Sequence, residues 1–217
     1  RTWSGAGVTA IWSDGGNWGG TAPAAGDSLV FSGTGIQCTN ANDLAADTSF
    51  AGITFASGTR NYLLTGNRIT LGGPVTNNST STQRINFDMA LDATRTFQLT
   101  SGNLFANGTL SGVGGLLTYG KILYLSGANT YQGMTLVSNE AVQISNGQAL
   151  GSTEGGTVIM SNGTSASPRL NLANVCVTGE TVTVCGKGDN NGALQAVSGS
   201  NTWAGKVILG SPGENRF

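Results

Sequence analysis

Asp43 and Asp47 are the closest pair of carboxylates outside the turn signals, and glycoside hydrolysis ordinarily needs two acids facing each other across one cleft. No neighbouring motif places this pair in a groove. The other acids, Asp14, Asp27, Asp88, Asp92, Glu140, Glu154, Glu180, Asp189 and Glu214, stand singly or beside turns, where capping and hydration account for them. The chain has no histidine, which removes Ser-His-Asp and Cys-His catalysis, His-dependent zinc sites and the usual pH switch together. Asp189-Asn190-Asn191-Gly192 offers one carboxylate in four residues. That is too little charge for a strong calcium site, and a tight turn is expected there. We therefore expect no enzyme, no cofactor and no metal.

The three cysteines admit two readings. Cys176 and Cys185 flank a segment containing Thr178-Gly179-Glu180. A reversal of the chain there would allow a disulfide; the alternative is two small buried hydrophobes. Cys38 stands apart with no histidine to activate it and reads as buried. Sequons of the Asn-X-Ser/Thr type begin at Asn77, Asn78, Asn107 and Asn162, and are candidate glycosylation positions in a chain rich in Asn and Thr. Tyr131 and Trp203 occupy equivalent places in an internal repeat. Each is a candidate for stacking on a sugar ring or for a packing ladder.

These residues must be held by strands. Charged residues make up 10% of the chain, and 35 of its 217 residues are Gly. Thr, Ser and Asn take the place of charge and favour turns and solvated β-faces over helix interiors. With 38% hydrophobic residues and a net charge of −1, the chain has enough apolar side chains to fold. It lacks the basic runs that nucleic acid or an anionic membrane would require. No apolar stretch approaches the roughly 20 residues of a spanning helix. The opening Arg1-Thr2-Trp3-Ser4-Gly5 lacks a signal-peptide core, so an exported chain would have shed its signal.

Short runs such as Ile53 to Phe55, Lys121 to Leu125 and Thr181 to Cys185 recur between Gly, Asn and Ser punctuation, the spacing of many short strands. Ser126-Gly127-Ala128-Asn129-Thr130-Tyr131-Gln132-Gly133 returns further along as Ser198-Gly199-Ser200-Asn201-Thr202-Trp203-Ala204-Gly205. Three or four coils of roughly 18 to 24 residues would fill the offset between the two copies, as in a β-solenoid. Trp3, Trp12 and Trp18 read as a cap or first coil over residues 1–33. Residues 34–217 read as coils continuous with it, a single domain of roughly eight to twelve turns.

Several of these motifs carry a resemblance. Trp3, Asn17-Trp18, Gly26-Asp27-Ser28-Leu29-Val30-Phe31, Gly52-Ile53-Thr54-Phe55 and the two Ser-Gly-X-Asn-Thr-Tyr/Trp elements resemble bacterial autotransporter-associated β-strand repeat proteins. The resemblance spans nearly the whole chain. After Tyr131, Gln132-Gly133-Met134-Thr135 replaces the family's usual Gly-Gly-Thr-Thr. It implies an exported, right-handed parallel β-helix, all-β, resembling a passenger region.

We expect from this a non-catalytic structural rod at the cell surface or outside the cell, with no membrane insertion by this segment. The reading at the carboxyl end is that Val207-Ile208-Leu209-Gly210 opens a coil and the residues up to Phe217 carry no Trp-rich cap. Such an end is a template for association, so end-to-end stacking into a filament is expected. A glycan-binding adhesin passenger is the alternative, and a β-helix polysaccharide hydrolase or lyase is the third reading.

Overall fold

The computed structural model describes residues 1–33, 36–160 and 167–210. Its strands alternate inward aliphatic and outward polar residues, the two-residue period of a half-buried strand. In Gly52–Phe55, Ile53 and Phe55 are fully buried while Thr54 faces outward. A single strand of this kind buries only one face. The chain therefore winds so that strands pair in parallel with their counterparts one coil later, and among the described residues every pairing between strands is parallel.

The result is a parallel β-solenoid with three faces. A ten-stranded face runs from Thr2–Trp3 to Val207–Leu209, and an eight-stranded face from Thr39–Asn42 to Leu194–Ser198. Eight strands on the second face mark about eight turns, the low end of the expected range. Coil length varies with the corners: Leu116 aligns with Thr135 across a short coil, whereas Thr157 aligns with Val182 across a longer one. Leu123, Val142, Leu170 and Leu194 are successive register partners. The two copies of the Ser-Gly-X-Asn-Thr element, which follow the first and last of these strands, are therefore three coils apart.

The third face is broken. Four strands, Thr48–Phe50, Ile69–Leu71, Met89–Leu91 and Leu110–Ser111, form its first part, and Cys176–Thr178 pairs with Thr202–Ala204 further along. Between them two coils cross this face without a strand, in segments 126–134 and 145–156. This gap positions the candidate site.

The interior is a continuous stack. Phe31 and Phe55, register partners, lie with ring centroids 5.5 Å apart. Burying each such side chain contributes roughly 1.5–3 kcal/mol. At the amino-terminal end Trp3, Trp12 and Trp18 are buried, and Trp12 touches Trp18, Phe31, Phe50 and Phe87 edge-on or tilted. Their indole N–H groups are satisfied: Trp3 donates to Gln37 O, Trp12 to Asn40 Oδ1 at 2.7 Å, and Trp18 to Trp12 O. An aromatic cluster thus lies over the first coil. At the other end of the described stack, Val207 and Leu209 are 42% and 60% exposed, although Val182 and Val184, their partners one coil earlier, are fully buried.

Corners need backbone that a side chain would obstruct. Gly120 has φ 93°, and a Cβ there would lie 2.1 Å from Leu99 O of the preceding coil. Only glycine fits both constraints.

The outward faces are less uniformly polar than the Thr-rich sequence suggests. On the ten-stranded face the row Thr54, Thr76 and Gln98 continues to Tyr119, and beside it Thr96 is followed by the aligned, half-buried Leu117, Leu136 and Val158. On the eight-stranded face Phe105 and Tyr124 stack at 4.1 Å and 5°, with the Arg84 guanidinium 4.7 Å from the Phe105 centroid.

Candidate functional site

Where the third face loses its strands, a lateral cleft of about 510 Å³ opens. Its walls come from three consecutive coils. The segments around Asn129–Thr130 and Gly147–Thr153 form one side, and Cys176, Thr178 and Glu180 the other. Asn129 ties the first coil to the second, its backbone N–H donating to Gln148 O and its Nδ2 to Ala149 O at 2.6 Å.

Glu180 follows Gly179, which turns the corner at φ 77°. It is only 3% exposed yet borders the cleft. Its Oε1 accepts a hydrogen bond from Thr157 Oγ1 at 2.8 Å, and among the described residues no ion pair reaches it. Burial pushes the Glu180 carboxyl above its ordinary value, and the Thr157 hydroxyl partly offsets that.

In the core beside the cleft, two threonines interrupt an aliphatic column. Along the inward row Leu116, Thr135, Thr157 and Val182 are register partners, and both threonines are buried. The Thr135 hydroxyl is bonded to the Tyr131 hydroxyl and reaches Leu150 O at 3.3 Å. The Tyr131 phenol is pushed far above its ordinary value by burial. Ser152, also on the cleft, has a buried Oγ with no hydrogen-bond partner. Buried polar atoms are seldom left so.

The sequence expectations meet this geometry unevenly. Tyr131 is fully buried, its ring pressed against Gly151, where a Cβ would come within 2.7 Å of Cε2. It offers no stacking face, so that reading is corrected to packing. Trp203 is half-buried against the core, aligned with Val177, and its Nε1 has no partner. Cys176 and Cys185 are free thiols. The segment between them turns a solenoid corner and does not reverse the chain. Cys176 therefore lies on the third face opposite Thr202, and Cys185 on the ten-stranded face opposite Met160. Cys176 is exposed in the cleft, and Cys38 is half-buried against the core.

Asn77 is fully buried and donates through Nδ2 to Ser81 O and Asn103 O while its Oδ1 accepts from Ser79. A glycan there is incompatible with the folded coil. Asn78 and Asn107 are exposed. Asn107 donates to Asn86 Oδ1 and accepts from Ser126 Oγ in a ladder between coils. Asn162 lies outside the described residues.

The Asp43–Asp47 pair is divided between partners. Asp43 accepts from Ser13 and Asp47 from Arg68, and these contacts hold both carboxyls below their ordinary values. Asp189 is gathered by Gln195 Nε2 and Asn191 N, with Arg169 at 3.5 Å, and so is engaged as a turn residue. Among the described residues no group of three or more His, Cys, Asp or Glu could hold a metal ion, and no helix is long and apolar enough to cross a membrane. Sequence reasoning missed the Glu180 cleft. The available signal was threonine at two positions where the two-residue period calls for an aliphatic residue.

No family model matches the chain, and no solved structure matches it. It is 30% identical over 205 residues, 88% of its length, to the adhesin BmaC autotransporter of Brucella suis biovar 1 (strain 1330), and it spans 5% of that protein. The similarity, joined to the observed fold, relates the chain loosely to an autotransporter-type β-helix.

Proposed function

We propose that the chain is a stretch of a non-catalytic, adhesin-like β-helical rod presented at the cell surface or outside the cell. The observation that carries this reading is the uninterrupted ten-stranded parallel face. Each strand on it is held by its neighbours in adjacent coils, giving a rod whose stiffness is built in. Similarity to a protein named as an adhesin autotransporter supports it. So do the outward rows, where Leu117, Leu136 and Val158, and separately Arg84, Phe105 and Tyr124, offer extended contact surfaces on a chain of net charge −1.

Beads coated with the purified chain and applied to host-cell monolayers or immobilised glycans test the reading. Adherence well above that of beads carrying an unrelated protein of equal charge is the expected result. Adherence no greater than the control contradicts it.

End-to-end association belongs to the same proposal. Light scattering over a concentration series should show growing particles, and a strictly monomeric chain removes this part. The glycan-binding reading is favoured by the cleft beside Glu180, which is concave and sets several polar side chains beside the apolar Leu150.

A further inference from the structure

We propose that the cleft between segments 126–134 and 145–156 and the corner at Glu180 binds an amino sugar, with the Glu180 carboxyl receiving the sugar's ammonium group. The proposal deepens the glycan-binding side of the reading above and, in its choice of a sugar, rests on it.

Three observations point to this chemistry. First, Glu180 is a carboxyl brought almost wholly out of solvent at the edge of a cleft, with no cation of the chain paired to it among the described residues. Keeping an acid there is costly, and one hydroxyl donor, Thr157, offsets only part of the cost. A ligand ammonium supplies the missing charge through a charge-assisted hydrogen bond.

Second, Ser152 brings a buried hydroxyl with no partner to the same cleft. A ligand hydroxyl satisfies it. Third, Thr130, Gln148, Thr153 and Thr178 surround the opening and Leu150 supplies an apolar wall. That lining suits a polyhydroxylated ring better than an alkyl amine. Tyr131, whose ring abuts Gly151 of the cleft wall, is fully buried. Recognition therefore runs through hydrogen bonds and charge, with no stacking on its face.

Cys176 provides the reporter, because its thiol is exposed on the cleft wall. The rate of alkylation of Cys176 by iodoacetamide, read by peptide mass spectrometry at neutral pH, is measured with glucosamine, N-acetylglucosamine, glucose and lysine amide in turn. Glucosamine should slow the reaction in a saturable way. N-acetylglucosamine and glucose, which lack the ammonium, should protect at least about tenfold less well. Glu180→Gln, which conserves shape, should abolish the glucosamine effect, protection being scored against each variant's own unprotected rate. Ser152→Ala, which leaves Glu180 and Thr157 untouched, should weaken it severalfold and serves if Glu180→Gln fails to fold.

Equal protection by glucosamine and N-acetylglucosamine, or none by either, overturns the proposal. Undiminished protection in Glu180→Gln also overturns it, and lysine amide protecting as well as glucosamine overturns the assignment to a sugar. The bead assay separates this outcome from the wider reading. Adherence that persists without protection leaves the adhesin-like rod standing, whereas protection without adherence sinks the rod's adhesive role alone.

Discussion

Thr157 Oγ1 donates to Glu180 Oε1 at 2.8 Å from one coil to the next at the interior corner, and both side chains are buried. The threonine stands in a column where Leu116 and Val182 show that an aliphatic residue also fits. Its presence is explained by the carboxyl. Thr157→Val should leave Glu180 without its one identified donor and lower stability by about 1 to 3 kcal/mol, whereas Thr157→Ser should cost much less. Urea denaturation of the two variants checks this.

The same burial fixes a pH dependence. Glu180 holds its proton more tightly when folded than its ordinary value of 4.5 implies. Between that value and the folded one, the native state binds more protons than the unfolded state, so this group's contribution falls as pH rises. Relative to Glu180→Gln, the natural chain should lose thermal stability steadily on going upward from about pH 4.5. A stability relative to Glu180→Gln that is flat with pH, or that rises with it, contradicts the assignment.

Phe105 and Tyr124 stack face to face on the outside of the rod. A double-mutant cycle with Phe105→Ala and Tyr124→Ala should give a coupling of about 0.5 to 1.5 kcal/mol in stability. Additive losses would show that the pair contributes only area.

Trp12 is fully buried among Trp18, Phe31, Phe50 and Phe87. Trp12→Ala should destabilise the amino-terminal coils by about 3 to 5 kcal/mol. Hydrogen exchange should show protection lost there first.

Gly120→Ala tests a corner. Its φ of 93° and the approach to Leu99 O leave no room for a Cβ, so a loss well over about 1 kcal/mol is expected. Gly19, also at positive φ but with open space around it, should tolerate alanine better.

The coil architecture was legible because short alternating strands, Gly corners and the internal repeat each follow from burying one face against the next coil. The Trp cluster was legible too, since Trp3, Trp12 and Trp18, so close together in a Gly-rich opening, must find a common interior. The cleft was not. It arises from missing third-face strands in two coils, and the repeated Ser-Gly-X-Asn-Thr element illustrates why sequence hid this. Its second copy forms the strand Thr202–Ala204, whereas its first, around Tyr131, forms none. The disulfide, one of the two readings of Cys176 and Cys185, does not hold for a related reason: Thr178-Gly179-Glu180 has the composition of a reversing turn and serves as a solenoid corner. The stacking reading of Tyr131 and the sequon at Asn77 do not hold because polar and aromatic residues in this chain also fill the interior.

Surface presentation is tested most directly at Cys176, an exposed thiol on the flank of the rod. Intact producing cells are treated with a membrane-impermeant maleimide and the peptide containing Cys176 is quantified before and after lysis. Labelling on intact cells equal to that after lysis is the expected result, and labelling that appears only after lysis contradicts a surface-exposed rod.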